Sequence, residues 1–544
     1  MEKLINLIFD KNLMTIEEVF NKYPSRNLKG DQKVTRIAPS PTGFVHIGTI
    51  YMALVSERIA HQSNGIFFVR IEDTDSKREV VGSSELLADT FKNYGIIADE
   101  GMVSANNFKG NYGPYKQSER KDIYKVFIKY LMEKGMAYPC FCTEEELEQI
   151  VNQQKAQNCS RLGYYGGWAK YRNFPIEEAI KKIENGEEYV IRFKSFGDFN
   201  KKVIVNDIIK GNIEFPENDL DIVIMKKNGL PTYHFAHVID DFLMGTNLVT
   251  RGDEWIPSLP IHIQLFQALK LKAPRYAHIA PIMKFDGNGK RKLSKRKDKE
   301  SNMVYFDEMG YPKESIIEYL LNLANSNFEN WRKQNIEKSY KDFNFDIKKM
   351  NASGAIFDQI KMDSVSKDII ARMSAIEIYN YVLEWSSKYD KEFYNVLLNK
   401  KDYLISIFNI ERENTKKPRK DISKWSEIKE EINYFFDVNY SDINKKLQNY
   451  NQEDIEKIKK LFTQNYNVND DNQEWFNKIK DISKQCGYAD NIKDYKNNPE
   501  NFKGSVVDVA TILRILITGR EQSQDLCSIM KVLGYKTVIE RINH

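Results

Sequence analysis

The sequence predicts a multidomain chain: an α/β first half built on a parallel sheet, interrupted by an α+β insertion, then an all-helical second half. Three observations carry this. A length of 544 residues exceeds what one hydrophobic core uses, at roughly 100 to 200 residues per domain. Strand, loop, helix and strand patterns succeed one another between residues 34 and 73, which makes a βαβ unit and so a parallel pairing. Beyond about residue 330 the apolar spacing is helical, with few Gly or Pro until Pro418.

The elements follow in order. Thr15 caps the run Ile16-Glu17-Glu18-Val19-Phe20, and Pro24 with Gly30 closes it, so residues 1–33 read as a short N-terminal extension. Residues 34–38 are strand-like; Pro39, Pro41 and Gly43 force a turn; Ile47, Ile50, Tyr51, Leu54, Val55 and Arg58 then recur at helical spacing. After Gly65, residues 66–73 alternate as a second strand. The first half of the α/β fold is placed at 34–115. The insertion is placed at 116–222, with helices over 118–134, 143–157 and 176–185 and strands over 189–194 and 202–207. Residues 221–225 and 233–243 return to the first fold, whose second half spans 223–275. A segment over 276–345 and a helical domain over 346–544 complete the chain.

The chain has 81 Lys+Arg against 77 Asp+Glu, a net charge of +4, with 29% charged and 12% aromatic residues. Such a composition supplies packed cores and excludes wholesale disorder and collagen-like structure. Spread evenly, so small a charge would not hold a polyanion, so any nucleic-acid partner rests on local patches. No stretch approaches the roughly 18 apolar residues of a membrane span, and residues 4–9 lack a signal-peptide pattern. The five cysteines, at 140, 142, 159, 486 and 527, are odd in number and unevenly spaced, which suits reduced thiols and a cytoplasmic protein without a membrane partner.

Two loops carry chemistry. Pro39-Ser40-Pro41-Thr42-Gly43-Phe44-Val45-His46-Ile47-Gly48-Thr49 joins a strand to a helix N-terminus, where free amides and the helix dipole suit a phosphate. There is no GxGxxG, and Thr49 and Ile50 stand where a P-loop needs Lys and Ser/Thr. Gly48 lets a flat purine lie against the backbone, and His46 can donate to phosphate oxygens; an ordinary βα turn with a capping His is the other reading. The second loop is Lys290-Arg291-Lys292-Leu293-Ser294-Lys295-Arg296-Lys297, with eight Lys/Arg and two Asp/Glu between 284 and 299. It is either a solvated charge run or a glycine-hinged loop that folds over a triphosphate.

Together the two loops resemble the His-Ile-Gly-His and Lys-Met-Ser-Lys-Ser signatures of class I aminoacyl-tRNA synthetases, here His46-Ile47-Gly48-Thr49 and Lys292-Leu293-Ser294-Lys295-Arg296. Around them stand Arg36-Ile37-Ala38-Pro39-Ser40-Pro41-Thr42-Gly43, Arg70-Ile71-Glu72-Asp73-Thr74-Asp75, Pro231-Thr232-Tyr233-His234 and Val249-Thr250-Arg251-Gly252-Asp253-Glu254. This set is similar to the bacterial-type glutamyl-tRNA synthetase family. The resemblance implies a Rossmann-like catalytic domain, an acceptor-end-binding insertion, a stem-contact segment holding the Lys-Leu-Ser-Lys-Arg loop, and α-helical anticodon-binding domains. It implies ATP and L-glutamate as substrates, Mg²⁺ carried largely on ATP, and tRNA-Glu as partner, with tRNA-Gln charged as well in some members. A monomer is expected.

By the same resemblance, Arg36 and Arg251 bind the glutamate carboxylate, Ser40 and Tyr233 hydrogen-bond the substrate, and Glu72 receives its ammonium. His46, Gly48, Lys292 and Lys295 are the catalytic set; Gly43, His46, Gly48, Asp253 and Lys295 form the ATP site. His237, one turn after Tyr233, either faces the same pocket or packs. Charge-assisted hydrogen bonds of about 1.5 to 3 kcal/mol each separate a carboxylate from an amide well enough that no editing domain is expected.

Some members hold zinc with a Cys-x-Cys followed by Tyr-x-x-x-Cys. Here Cys140-Phe141-Cys142 is present, but Ala169 and Trp168 follow Tyr165 and Tyr164 where the last thiolate belongs, so packing thiols and no metal site are expected. Lys416, Lys417, Arg419 and Lys420 form a basic patch, either a tRNA phosphate contact or a solvated face. Trp425 and Tyr434 either stack on bases or pack in a core. Glutaminyl-tRNA synthetase and a non-catalytic tRNA-binding paralogue are the alternatives; the Pro-Ser-Pro-Thr-Gly run, Thr49 and the intact His46, Gly48, Lys292 and Lys295 favour the glutamate enzyme.

Overall fold

The computed structural model describes residues 1–544 apart from 42, 76–79, 81, 105–106 and 414, so Thr42 of the first loop lies outside the described residues. The chain divides into two compact units. Met1–Tyr305 with Ile317–Asp358 make the first, and Phe306–Ile316 with Gln359–His544 make the second. The chain therefore crosses between units more than once, where the sequence suggested a single border at 345/346.

Two helices, α1 (Glu2–Ile8) and α2 (Ile16–Lys22), precede the first core. Thr15 caps α2 as expected, in a reciprocal box: Glu18 N donates to Thr15 Oγ1 at 3.2 Å and Thr15 N to Glu18 Oε2 at 2.7 Å. The sequence showed α1 only as an apolar run; its Leu4 and Ile5 are buried among the residues of the insertion core. β1 (Val34–Ile37), α3 (Ile47–Gln62) and β2 (Ile66–Val69) form the foreseen βαβ unit, with Val34 opposite Ile66 in parallel register. After α4 (Ser83–Asn93), β3 (Glu100–Ser104) joins β2 in parallel and β4 (Asn107–Lys109) closes the edge antiparallel. β2 ends before residue 73 because the chain then follows the first loop: Arg70 N donates to Ile37 O and Glu72 N to Pro39 O. That detour brings Glu72 to the site.

The insertion holds α5 (Lys121–Glu133), β5 (Ala137–Cys140), α6 (Glu144–Ala156), α7 (Ile176–Glu184) and β6 (Val190–Phe193). Two pairings depart from the sequence reading. The hairpin of β7 (Lys202–Asp207) and β8 (Gly211–Pro216), assigned to the insertion, instead extends the second half of the α/β fold. Conversely β9 (Val223–Met225), expected to return to that fold, completes the antiparallel insertion sheet beside β6. Strand pairing is non-local and leaves no trace in local periodicity.

The second half of the fold contributes α8 (Tyr233–Leu243), β10 (Leu248–Gly252), α9 (Leu259–Ala268) and β11 (Arg275–Ile279), with β10 and β11 parallel and Tyr276 opposite Asp207 of β7. β12 (Met283–Asp286) and β13 (Gly289–Lys292) form the hairpin that carries the basic loop. β1 leads to β2 on one side, and β10 leads to β11 on the other. The two sheets meet where Asn247 N donates to Val34 O at 3.2 Å and Val34 N to Asn247 Oδ1 at 2.9 Å. Reversal of strand order at adjacent strands is a topological switch point, and the crevice beyond their carboxyl ends is where ligands bind in such folds.

The end of α3 is latched by His61, whose Nδ1 lies 2.8 Å from Glu57 Oε1 and whose Nε2 lies 2.9 Å from Asp99 Oδ2. Hydrogen bonds to Asp99 and Glu57 raise its pKa to about 9. A folded pKa above the unfolded value means stability present in full below about pH 6.5 and lost as pH rises through 9. Thermal scans are expected to show the melting temperature of the wild type falling across that window and a flatter profile for His61→Gln; equal slopes would dismiss the latch.

The second unit is helical as expected. Helices Ala375–Tyr389, Lys401–Asn409, Gln452–Asn465, Asn472–Cys486, Val506–Thr518 and Leu526–Asn543 surround a core that includes Ile378, Val382, Leu404, Ile458 and Leu513. Val506–Thr518 starts at a Ser505/Asp508 capping box and stops at Gly519, whose φ of 72° suits a C-terminal glycine. Trp425 and Tyr434 are buried in this core, so they pack rather than offer their faces to bases. No helix among the described residues is long and apolar enough to cross a membrane.

Candidate active site

A cleft of about 700 Å³ opens at the switch point. Nine residues named from sequence line it: Arg36, Ser40, His46, Gly48, Glu72, Tyr233, Arg251, Lys292 and Lys295. Two are not brought to its wall. Gly43 serves the loop backbone at a φ of 104°, which a side chain would strain. Asp253 accepts from Lys210 Nζ at 3.1 Å, and its neighbours Glu254 and Trp255 line the cleft instead.

His46 is the N-cap of α3, and its Nδ1 accepts from Gly48 N at 2.9 Å. The proton therefore sits on Nε2. Burial, aided by Lys295 and Lys292, pushes its pKa to about 4, so the ring is a neutral, oriented donor. A Cβ at position 48 would lie 2.8 Å from His46 Nδ1; glycine is the residue that leaves the ring in place.

The floor is a buried charge network. Arg36 Nε lies 3.2 Å from Asp241 Oδ1, Arg70 Nη1 donates to the same oxygen at 2.7 Å, and Arg70 Nη2 donates to Glu72 Oε1 at 3.0 Å. Asp240 accepts from Arg120 Nε and Tyr124 Oη, both at 2.7 Å, and from Gln117 Nε2 at 2.9 Å. Three arginines thus face three carboxylates. Burial pushes the Glu72 carboxyl up against the pull of Arg70 and Arg36. Asp241 is buried too, yet Arg36 and Arg70 hold it well below the usual carboxylate range.

Arg251 differs. It is 5% exposed, and its contacts are His278 Nε2 at 2.9 Å, His262 Nδ1 at 3.2 Å, Trp255 O at 3.3 Å and Tyr233 Oη at 3.4 Å. None is an anion. Tyr233, its pKa pushed to about 12 by burial, is neutral as well and lies against Trp255 with ring centroids 4.1 Å apart. His237 packs behind: it is buried, stacks on Tyr233, and its Nδ1 lies 2.9 Å from Asp241 Oδ2.

The basic loop is less cationic than its sequence suggests. Asp298 takes Arg291 through both carboxylate oxygens and also accepts from Ser294 N at 2.8 Å; Lys284 pairs with Glu300 and Asp298. Those contacts fold the loop and leave Lys292 and Lys295 on the cleft wall. Lys295 Nζ lies 5.0 Å from the Phe44 ring centroid, and burial lowers its pKa.

Outside the cleft, Cys140 and Cys142 both donate to Tyr164 Oη, at 3.5 and 3.6 Å. Two thiols and a phenol do not make a four-ligand zinc set, and no cluster of three or more His, Cys, Asp or Glu able to hold a metal occurs among the described residues. In the second unit Lys416, Lys417 and Lys420 are exposed and Lys420 pairs with Asp368 at 2.6 Å. Arg419 departs from the expected surface patch: its side chain is 6% exposed, with Nε 3.5 Å from Asp421.

Sequence reading missed Asp207, Asp241, His262 and His278. One signal was available: four of the chain's seven histidines lie between 234 and 278.

Comparison with known proteins gives the family and the fold. Residues 32–364 match the family model "tRNA synthetases class I (E and Q), catalytic domain", and residues 399–544 match "Anticodon binding domain". The glutamate–tRNA ligase of Clostridium perfringens (strain 13 / Type A) is 50% identical over 548 residues, covering 99% of this chain and 100% of that one. That of Clostridium beijerinckii is 47% identical, covering 100% and 99%. A crystal structure of a glutamate tRNA ligase from Elizabethkingia meningosepticum in complex with its amino acid superposes with a TM-score of 0.73 at 27% identity, covering 94% of this chain and 99% of that one. Fold and cleft thus define a class I aminoacyl-tRNA synthetase catalytic domain, a class that uses ATP, joined to an anticodon-binding domain. The chain belongs to the glutamate–tRNA ligase family.

Proposed function

We propose that the chain attaches L-glutamate to tRNA-Glu through glutamyl-adenylate, acting in the cytoplasm as a monomer. The observation that carries the glutamate assignment is Arg251, a buried guanidinium in the cleft wall whose protein contacts are all neutral. A buried cation is costly unless paired, and the carboxylate of a substrate side chain supplies the pair. Arg36, already shared with Asp241, orients the other end of the substrate with Ser40, and Glu72 takes the ammonium.

An oxygen of the glutamate α-carboxylate attacks the α-phosphorus of ATP, the bond to the β-phosphate oxygen breaks, and pyrophosphate leaves. A ribose hydroxyl of the terminal tRNA adenosine then attacks the acyl carbon and AMP departs. Neither step needs a protein nucleophile; placement and charge suffice. His46 Nε2–H and Lys295 meet the phosphates, Lys292 follows the departing pyrophosphate, and Gly48 keeps the His46 ring in register. Gly43 shapes the ATP loop and Asp253 stands beside the ATP-facing wall. Mg²⁺, arriving on the ATP oxygens, supplies further positive charge. Lys416, Lys417, Arg419 and Lys420 are assigned to tRNA, Arg419 by holding the loop. The free cysteines are in keeping with a reducing compartment.

The test is ATP–pyrophosphate exchange with glutamate or glutamine, with and without tRNA-Glu and tRNA-Gln. Exchange supported by glutamine alone defeats the assignment. Lys295→Ala is expected to lower exchange by about 10² to 10³-fold, the effect of removing a transition-state charge donor, while tRNA binding in a filter assay persists. Near-normal exchange would dismiss its role.

A further inference from the structure

Arg251 reaches its place through a chain of three side chains on three neighbouring strands. Its Nε donates to His278 Nε2 at 2.9 Å. His278 Nδ1 lies 2.7 Å from Asp207 Oδ2, the oxygen that also accepts His278 N at 3.0 Å. Asp207 Oδ1 is fixed in turn by the amides of Ile209 and Lys210, at 2.9 and 2.8 Å. Arg251 lies on β10, His278 on β11 and Asp207 at the end of β7, which gives the β7–β8 hairpin a reason to join this sheet.

The tautomer follows from these contacts. Asp207 accepts only, so His278 Nδ1 carries the hydrogen, and the lone pair on Nε2 faces the Arg251 N–H. His262 is set the same way: its Nδ1 accepts from Arg251 Nη1, and its Nε2 lies 3.1 Å from His234 Nδ1. Of the five N–H donors of a guanidinium, four thus have protein acceptors, and none of those acceptors brings a charge. A carboxylate in place of His278 would orient Arg251 equally well but cancel its charge, as Asp241 does for Arg36. The imidazole transmits orientation from Asp207 while keeping that anion one ring away.

We infer that His278, oriented by Asp207, is a positioning residue that sets amino-acid specificity, by aiming Arg251 without neutralising it. The inference rests on the reading that Arg251 receives the glutamate side-chain carboxylate. It commits Asp207 to a tautomer-fixing role: in Asp207→Asn, with the side-chain oxygen kept by the amides of Ile209 and Lys210, the amide nitrogen faces His278 N and Nδ1, which moves the ring hydrogen to Nε2 and sets it against the Arg251 N–H, a tautomer error of the kind known in catalytic triads.

The experiment is steady-state aminoacylation by the full chain, varying glutamate and ATP separately. Wild type is measured first, and its use of glutamate tests the functional reading alone. Asp207→Asn is expected to raise KM for glutamate about 10- to 100-fold, by analogy with the loss of the carboxylate partner of a metal-bound imidazole. KM for ATP should stay within about twofold. His278→Gln provides the second arm, because its amide can turn to present oxygen to Arg251 whichever residue stands at 207. In that background Asp207→Asn is expected to add less than about threefold. An unchanged KM for glutamate in Asp207→Asn overturns the inference. So does a parallel rise in KM for ATP, or an equal penalty in the His278→Gln background, since either is what a merely structural aspartate would produce.

Discussion

Arg251→Gln is expected to lower kcat/KM for glutamate by about 10² to 10⁴-fold, the loss of two charge-assisted hydrogen bonds of about 1.5 to 3 kcal/mol each. Preference for glutamate over glutamine should fall with it, since an amide loses nothing when the cation is removed. Stability should not suffer in proportion. Arg251 is a buried cation in contact with two imidazoles, a phenol and a carbonyl, so its removal relieves a desolvated charge. The melting temperature is expected to hold or rise while activity collapses. A loss below about tenfold in kcat/KM would place the carboxylate elsewhere in the cleft.

Asp241→Asn is expected to do the reverse, striking stability first. Asp241 lies between Arg36 and Arg70, 3.2 and 2.7 Å away, with His237 at 2.9 Å. Taking its charge away leaves three buried arginines facing two carboxylates, and breaking a buried pair by removing one partner costs about 3 to 5 kcal/mol. Denaturant titration of the full chain should show the midpoint of the catalytic unit shifted down while that of the helical unit is unmoved. The pH dependence carries the same sign. With its folded pKa held down by Arg36 and Arg70 against burial, Asp241 contributes stability present above the unfolded carboxylate pKa of about 3.9 and lost as pH falls below it. An asparagine variant as stable as wild type would show that the network tolerates an unmatched arginine.

The two variants separate the setting of Arg251 from that of Arg36, the partner of Asp241. Sequence pattern names Arg36 and Arg251 alike, since each stands in a strand before a motif turn. Their partners differ only in three dimensions: Arg36 meets Asp241, two hundred residues away in the chain, and Arg251 meets neutral rings. The basic loop teaches the same lesson. Its charge is visible in sequence, but Asp298 and Glu300 neutralise part of it, and among the described residues of the loop two lysines, Lys292 and Lys295, line the cleft. Trp425 and Tyr434 likewise carry residue types suited to stacking on bases, and packing buries them in the helical core.

Sequence alone determined the βαβ start, the capped helix at Thr15, the helical second half and the two loops that line the cleft. Those features rest on local rules, namely periodicity, capping, turn residues and glycine at the helix entry, and local rules are written in adjacent residues. Tertiary structure decided which sheet the strands at 202–216 and 223–225 join, which arginine keeps its charge, and that Asp207 reaches Arg251 through His278. Strand pairing and charge matching are set by contacts across long stretches of chain, where burial makes each unpaired group costly and so selects one arrangement among many that the composition permits.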